Sequence, residues 1–294
     1  MATIVADTKA FGVVHRTTGE MTVTAVTAGY FDPPPEIVVG IDRDEMVQLM
    51  APTEGRPIIR ASVNVFIVRS PSGTILVDAG AGVTMGPTCG KMYENLAAAG
   101  ISPADVDAIV LTHIHPDHTN GLTTEDGVAV FPRAELIVHE TEVGHWFDDA
   151  AMAVADERAR IRYFEGARFR LAPYAGRTRT ITSGEVLPGV IGIPCPGHTP
   201  GHTAYRIGSA NEAMLFWGDT VHVPELQVPR PDITVQYDVD PIRAVASRLD
   251  MFDLVLRDNL VVAGAHLHFP GFARMAQMDG SFRLLPDVIG VTDR

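Results

Sequence analysis

Thr112-His113-Ile114-His115-Pro116-Asp117-His118 places three imidazoles and a carboxylate within six residues. The run follows the apolar stretch 106–111, read as a short strand, so His113 and His115 project to the same side of extended chain. Pro116 presets a break, after which Asp117 and His118 can turn back toward the same point. Such a segment is a poor core and a good metal cradle. Nitrogen and oxygen donors in this mix suit zinc, with manganese, cobalt or iron as alternatives. Three more stretches carry the same chemistry at the ends of expected strands: Pro196-Gly197-His198-Thr199-Pro200-Gly201-His202, Trp217-Gly218-Asp219-Thr220 and Gly264-Ala265-His266-Leu267-His268-Phe269-Pro270. A lone polar group at a strand end is ordinarily just solvated or capped. Four such features together point to one metal site.

For these side chains to meet, the segments that carry them must end near one another. Apolar and β-branched runs at 21–28, 64–69, 74–77, 106–111, 134–139, 190–193, 203–207, 213–217 and 260–264 read as strands. Ser70-Pro71-Ser72-Gly73 suits a hairpin turn, and Asp78-Ala79-Gly80-Ala81-Gly82 closes the second strand of that hairpin in a loop. Helical patterns cover 43–50, 92–99, 140–150, 154–169 and 241–253. Strands and helices interleave with no low-complexity linker, which means an α/β layered domain. The first 60 residues look irregular, with a Pro-rich loop at Phe31-Asp32-Pro33-Pro34-Pro35, and read as an N-terminal extension packed on a core spanning 61–294. The strand-rich stretches fall into two halves without a sequence-level repeat.

Bulk properties prune the function classes. A net charge of −13 argues against a nucleic-acid surface, which needs a basic face. No apolar run approaches the roughly 20 residues of a membrane span, and the N-terminus is too polar for a signal peptide. Two cysteines, Cys89 and Cys195, make a disulfide framework unexpected and fit a reducing interior. The expectation is a soluble cytoplasmic protein acting on a small molecule.

The set HIHPDH, PGHTPGH, GDT and AHLHFPG resembles the dinuclear hydrolases of the metallo-β-lactamase fold, and the likeness runs from Ala61 to about Phe272. The Pro-rich N-terminal stretch, HETEVGHWFDD and the AHLHFPGF ending resemble the branch that holds methyl parathion hydrolase and N-acyl-homoserine lactone lactonases. The resemblance implies an αβ/βα sandwich, two sheets back to back with helices outside, and a site along one edge. It implies two divalent metal ions, zinc foremost. His113, His115 and His198 would hold one, Asp117, His118 and His266 the other, with Asp219 bridging. His202 and His268 compete with His198 and His266, since each lies on the same segment; family position favours the earlier histidine of each pair. Asp78 matches a carboxylate that receives the second N–H of a metal-bound histidine. Homodimers are common in the branch, so a homodimer is a further expectation.

The bridging position of Asp219 argues against penicillin-type substrates, because β-lactamases proper lack it. A small-molecule lactone or ester is therefore expected, with a phosphotriester as the alternative. Two cations on the order of 3.5–4 Å apart would lower the pKa of a bridging water toward about 7, and that hydroxide would attack the carbonyl carbon or phosphorus. Asp117 is the expected proton shuttle. The N-terminal loop and the helical insert line the substrate pocket in the resembling branch, which nominates Tyr30, Phe31 and Trp146. His222 stands where the lactonases have a tyrosine, three residues after the bridging aspartate. His139 and His145 read as structural or surface histidines. A mononuclear iron dioxygenase, which shares part of the motif, is the rival from another class.

Overall fold

The computed structural model describes residues 3–6, 12–50, 58–209 and 212–287. The strands begin with β1 (Thr3–Ala6), β2 (Val13–Thr18), β3 (Met21–Phe31), β4 (Val38–Val39), β5 (Ala61–Ser70), β6 (Gly73–Val77), β7 (Ala108–Val110), β8 (Glu135–His139) and β9 (Thr178–Ile181). They continue with β10 (Gly184–Leu187), β11 (Val190–Pro194), β12 (Thr203–Ile207), β13 (Met214–Phe216), β14 (Thr234–Val235), β15 (Val261–Ala263), β16 (Phe272–Met278) and β17 (Ser281–Pro286). One sheet has the order β1-β2-β3-β5-β6-β7-β8-β9, the other β10-β11-β12-β13-β15-β16-β17, and β4 pairs with β14 apart from both.

The expected hairpin forms, with Ser70 opposite Gly73 and Pro71-Ser72 at its tip. Residues 13–31, expected to lie over the core, instead enter the first sheet: β3 pairs antiparallel with β5, and Val23, Ala25 and Val26 are fully buried. The two sheets face each other across a core in which Val23, Phe66, Val77 and Ile137 meet Tyr205, Phe216, Val261 and Phe272. Leu96, Phe164 and Leu171 cover the outside of the first sheet. Met251, Phe252 and Val255, on the helix Pro241–Asp258, cover the outside of the second. Helix, sheet, sheet and helix thus stack as an αβ/βα sandwich, because each sheet must bury both of its apolar faces.

Two helical expectations change. The insert breaks into Glu140–Trp146, Asp149–Val154, Glu157–Ala159, a π turn at Arg160–Glu165 and Gly166–Leu171. Asp148 and Asp156 cause the breaks, since each turns its carboxylate onto backbone N–H groups of the following turn and so starts a new helix. The helix at 241 runs five residues beyond its expected end at 253, to Asp258, where Asn259 stops it in the left-handed conformation (φ 49°). Strands β16 and β17, unassigned from sequence, form a hairpin on Asp279-Gly280, both at positive φ.

Parallel strands form one half of the first sheet, β6, β7, β8 and β9, and the centre of the second, β13 and β15. The loops after β6, β7, β13 and β15 therefore leave the sandwich at one edge, where ligand sites in parallel sheets form. Asp78, Thr112–His118, Gly218–Thr220 and Gly264–His266 lie on those four loops. Cross-links between the sheets fix their relative position there: Thr203 N–H donates to Thr112 O (2.9 Å), Tyr205 Oη–H to Leu111 O (2.9 Å) and Asn64 Nδ2 to Gly264 O (3.0 Å).

Arg248 ties the helix behind this edge to the loops in front of it. Its Nε donates to Thr220 O (2.8 Å), and Nη1 donates to Pro231 O (2.6 Å) and Ile233 O (2.8 Å), with the side chain almost wholly buried. Removing the donor leaves the Thr220 and Pro231 carbonyls without it, while Ile233 O keeps only Gln227 Nε2 (3.2 Å). Arg248→Ala is expected to lower unfolding free energy by ~3 kcal/mol or more in urea titrations. A loss below ~1 kcal/mol would show that those carbonyls do not depend on it.

Candidate metal centre

The side chains singled out at strand ends converge on two overlapping clusters. Donor atoms of His113, His115, His198 and Asp219 all lie within 4.8 Å of one another, as do those of Asp117, His118, Asp219 and His266. Asp219 is common to both. Its Oδ1 is 3.0 Å from His118 Nε2, and its Oδ2 is 3.3 Å from His198 Nε2 and 3.2 Å from His266 Nε2. Gly218 (φ 52°) makes this approach possible, since a Cβ there would stand 2.6 Å from His202 Nε2.

The outer nitrogens set the tautomers. His118 Nδ1 donates to Asp78 Oδ2 (2.9 Å), His198 Nδ1 to Asp238 Oδ1 (2.9 Å) and His266 Nδ1 to Ser62 O (2.7 Å). Thr112 spends its hydroxyl hydrogen on Asp78 Oδ2 (2.8 Å), so its oxygen accepts from His113 Nδ1 (3.1 Å). Each of these four rings, when neutral, therefore turns a bare Nε2 lone pair inward. Asp78 adopts φ 58° to reach this position and also accepts the Thr112 N–H (2.8 Å).

Charge follows the same geometry. Burial drives His113 and His115 well below the usual imidazole range, helped by neighbouring imidazoles. Burial opposes charge on His198 and His266 too, but facing carboxylates prevail: Asp219 and Asp238 raise His198 to about 9, and Asp219 with Asp117 raises His266 to about 10. Asp117 and Asp219 stay below the carboxylate range despite burial, because His118 and His266 face them. Ionised carboxylates in a largely buried site call for positive charge between them. His113 Nε2 and His222 Nδ1 are buried without a hydrogen-bond partner, while His118 Nε2 and His222 Nε2 each stand 3.0 Å from an oxygen of Asp219. Nitrogen and oxygen atoms gathered in this way, around shared carboxylates, fit divalent cations.

The competing histidines lie differently. His202 is buried, but Asp219 N–H donates to its Nε2 (2.9 Å) and its Nδ1 faces Cys195 O (3.1 Å), so neither nitrogen is spare. His268 is exposed and paired with Glu225. His139 Nδ1 caps a helix by accepting from Thr141 N–H, and the His145 ring packs edge-on against Trp146.

A family model described as the metallo-beta-lactamase superfamily matches residues 58–266. The chain belongs to the metallo-beta-lactamase superfamily. It is similar to the solved hydrolase AbOPH of the beta lactamase superfamily, at 32% identity and TM-score 0.88, over 94% of this chain and 98% of that one. The dizinc quorum-quenching lactonase AidC shares the fold, with TM-score 0.86 at 24% identity, over 94% of this chain and 98% of that one. Among curated proteins, a probable metallo-hydrolase of Mycobacterium tuberculosis is 27% identical over 54% of this chain and 56% of its own length. The chain thus spans a little over half the length of that relative.

In this superfamily member a cavity of about 160 Å³ opens above the clusters, walled by Phe31, Asp117, Tyr163, His222, Tyr237 and His266 among others. Phe31 and His222, two of the four residues nominated for a substrate pocket, line this cavity. Tyr30 and Trp146 are not among the lining residues. Arg60 draws the Tyr30 ring away, its guanidinium 4.1 Å from the ring centre. Trp146 is buried behind His115, its indole N–H donating to Glu142 Oε2 (2.8 Å). Tyr163, Tyr237, Met85, Arg158 and Arg162 line the cavity without having been singled out for it.

Sequence reasoning also passed over Glu142 and Asp238. Glu142 is fully buried and accepts from Ile114 N–H (3.0 Å), Gly201 N–H (2.8 Å) and Trp146, joining both histidine loops to the insert. The only signal was a second acid in HETEVGHW. Glu142→Ala leaves these donors unmatched and is expected to cost ~3 kcal/mol or more by chemical denaturation. A change within ~1 kcal/mol would refute its role as the knot between these loops.

Proposed function

We propose that this protein is a metal-dependent hydrolase of a small-molecule lactone or ester. The observation that carries the reading is the convergence of inward-facing imidazole nitrogens on shared carboxylates beneath a small open cavity. His113, His115 and His198 would hold one ion, and Asp117, His118 and His266 the second, with Asp219 shared. Zinc is the proposed metal, given the nitrogen-rich donor set. When bound, a pair of such ions acidifies water and withdraws electron density from a carbonyl or phosphoryl oxygen.

The chain's own residues divide the remaining work. Asp78, Asp238, Thr112 and the Ser62 carbonyl hold the rings in register, so no reorganisation is needed as charge develops. Asp117 is partly exposed to the cavity, with Oδ2 3.3 Å from His266 Nε2. Held below the usual carboxylate range, it is ionised at neutral pH and takes the proton released by the attacking water. Phe31 places its ring edge-on to His266, 5.8 Å between centres, and shields that side of the site from solvent. His222 lines the cavity with Nε2 3.0 Å from Asp219 Oδ2 and Nδ1 unpartnered, and is assigned a hydrogen bond to a substrate oxygen. No Gly-x-Ser-x-Gly element occurs in the sequence, so a covalent acyl-enzyme is not part of the proposal.

Lactones or esters are favoured over phosphotriesters because two relatives carry that activity in their names: AidC and the N-acyl homoserine lactonase AttM of Agrobacterium fabrum, the latter 24% identical over 51% of this chain and 61% of its own length. Donor groups on both sides of Asp219, with a further one at His198, His222 and Asp238, favour a hydrolase over a mononuclear dioxygenase.

Purified protein, stripped by chelation and reloaded with zinc, cobalt or manganese, should be screened on lactones, aryl esters, phosphotriesters and β-lactams. Lactone or ester hydrolysis that chelation abolishes and metal restores is expected; undiminished activity in metal-free protein would overturn the reading. In the same assay Asp117→Asn should lose at least ~100-fold in turnover, with much of the loss persisting in excess metal. Near-normal turnover in that variant would remove Asp117 from the mechanism.

A further inference from the structure

We propose that Arg158 and Arg162 form an anion-recognising pair on the cavity wall, which selects lactones or esters carrying a carboxylate or similar anionic group away from the scissile bond. The inference rests on the hydrolase reading for the scissile bond, and on the geometry of the wall for the anion.

Both arginines line the cavity whose floor is Asp117, Asp219 and His266. They stand four residues apart, on the helical turns Glu157–Ala159 and Arg160–Glu165, so they face the same way. Arg162 also lines the neighbouring cavity of about 510 Å³, which shares Met85 and Pro116 with the first. The pair thus stands where a substrate longer than its reacting group would pass.

Both are exposed to solvent, and among the described residues no carboxylate pairs with either. Other arginines of the insert are engaged: Arg160 pairs with Glu165, Arg168 with Asp149 (2.7 Å), and Arg170 donates to Thr123. Arg158 and Arg162 make no ion pair or hydrogen bond among the described residues; the Arg162 guanidinium lies only loosely over the Tyr163 ring, at 5.9 Å. Their charge nonetheless reaches the wall, since both favour ionisation of the Tyr163 and Tyr237 phenols, against burial and the nearby Asp117. Asp156, which also acts on Tyr163, is occupied in capping Ala159 N–H. In a chain of net charge −13, these two exposed guanidinium groups without a carboxylate partner put positive charge at the wall of the reactive cavity. Guanidinium groups stay charged at any working pH, and their planar fork matches a carboxylate.

The test compares two esters of equal leaving group and similar acyl length, neutral 4-nitrophenyl butyrate and anionic mono-4-nitrophenyl succinate, in metal-loaded native enzyme and in Arg158→Gln/Arg162→Gln. The native enzyme should favour the succinate in kcat/KM, chiefly through KM. The double variant should lose roughly 5–10-fold of that ratio. Because the ratio is internal to each enzyme form, a general loss of activity cannot imitate the effect. Absence of a native preference, or a ratio unchanged within about twofold, would overturn the proposal. Calorimetric binding of benzenesulfonate at low salt reads the pair without turnover. Weaker binding to the double variant than to native protein supports the anion site even if neither ester is hydrolysed, an outcome that would sink only the ester reading. Equal binding by the two forms rejects the site.

Discussion

A buried imidazole has two nitrogens to satisfy, and in this protein the outer one is committed to the scaffold so that the inner one is left bare. His118 is tied to Asp78, His198 to Asp238, His266 to the Ser62 carbonyl and His113 to Thr112. Without those ties the rings could rotate or exchange tautomers, and the inward lone pairs would be lost. The cost of sheltering so many polar atoms is met only if positive charge fills the space among them. His198 and His266, raised to about 9 and about 10 by the facing carboxylates, supply that charge as imidazolium, and divalent cations would take the place of their protons.

The ties explain much of the surrounding structure. Asp78 takes up a left-handed backbone conformation at the end of β6 in order to serve Thr112 and His118 together. Gly197 (φ 137°) lets the loop before His198 lie against the helix Pro241–Asp258, where a Cβ would meet Ala244 N at 2.1 Å. Glu142 reaches from the insert to the backbone of both histidine loops, and Arg248 reaches from behind to the loop after Asp219. The sandwich supplies the strand ends, and a few buried polar side chains bring them into register.

Residues that bond along the chain were the most legible from sequence. The histidine motifs were visible because clustered imidazoles have few other uses, and the sandwich was implied by their likeness to a known family. The hairpin at Pro71-Ser72 and the start of the helix at Pro241 announced themselves by local turn and capping chemistry. Glu142, Asp238 and Arg248 were not legible. Each is an ordinary charged residue in sequence, and its role comes from partners as distant in the chain as Gly201 from Glu142. Trp146 misled for the same reason: its aromatic ring suggested a pocket wall, whereas its N–H was needed by the buried Glu142. The split of the insert was readable in principle, from the two aspartates that cap its helices, but periodicity masked it.

On the proposed reading, the tethered rings aim two sets of donors at two cations across Asp219. This arrangement is tested most directly by anomalous diffraction from crystals of the zinc-loaded protein. Two peaks are expected, one at about 2.0–2.2 Å from donor atoms of His113, His115 and His198, the other at that distance from Asp117, His118 and His266. One peak alone, or a peak bound by His202 or His268, would contradict the account.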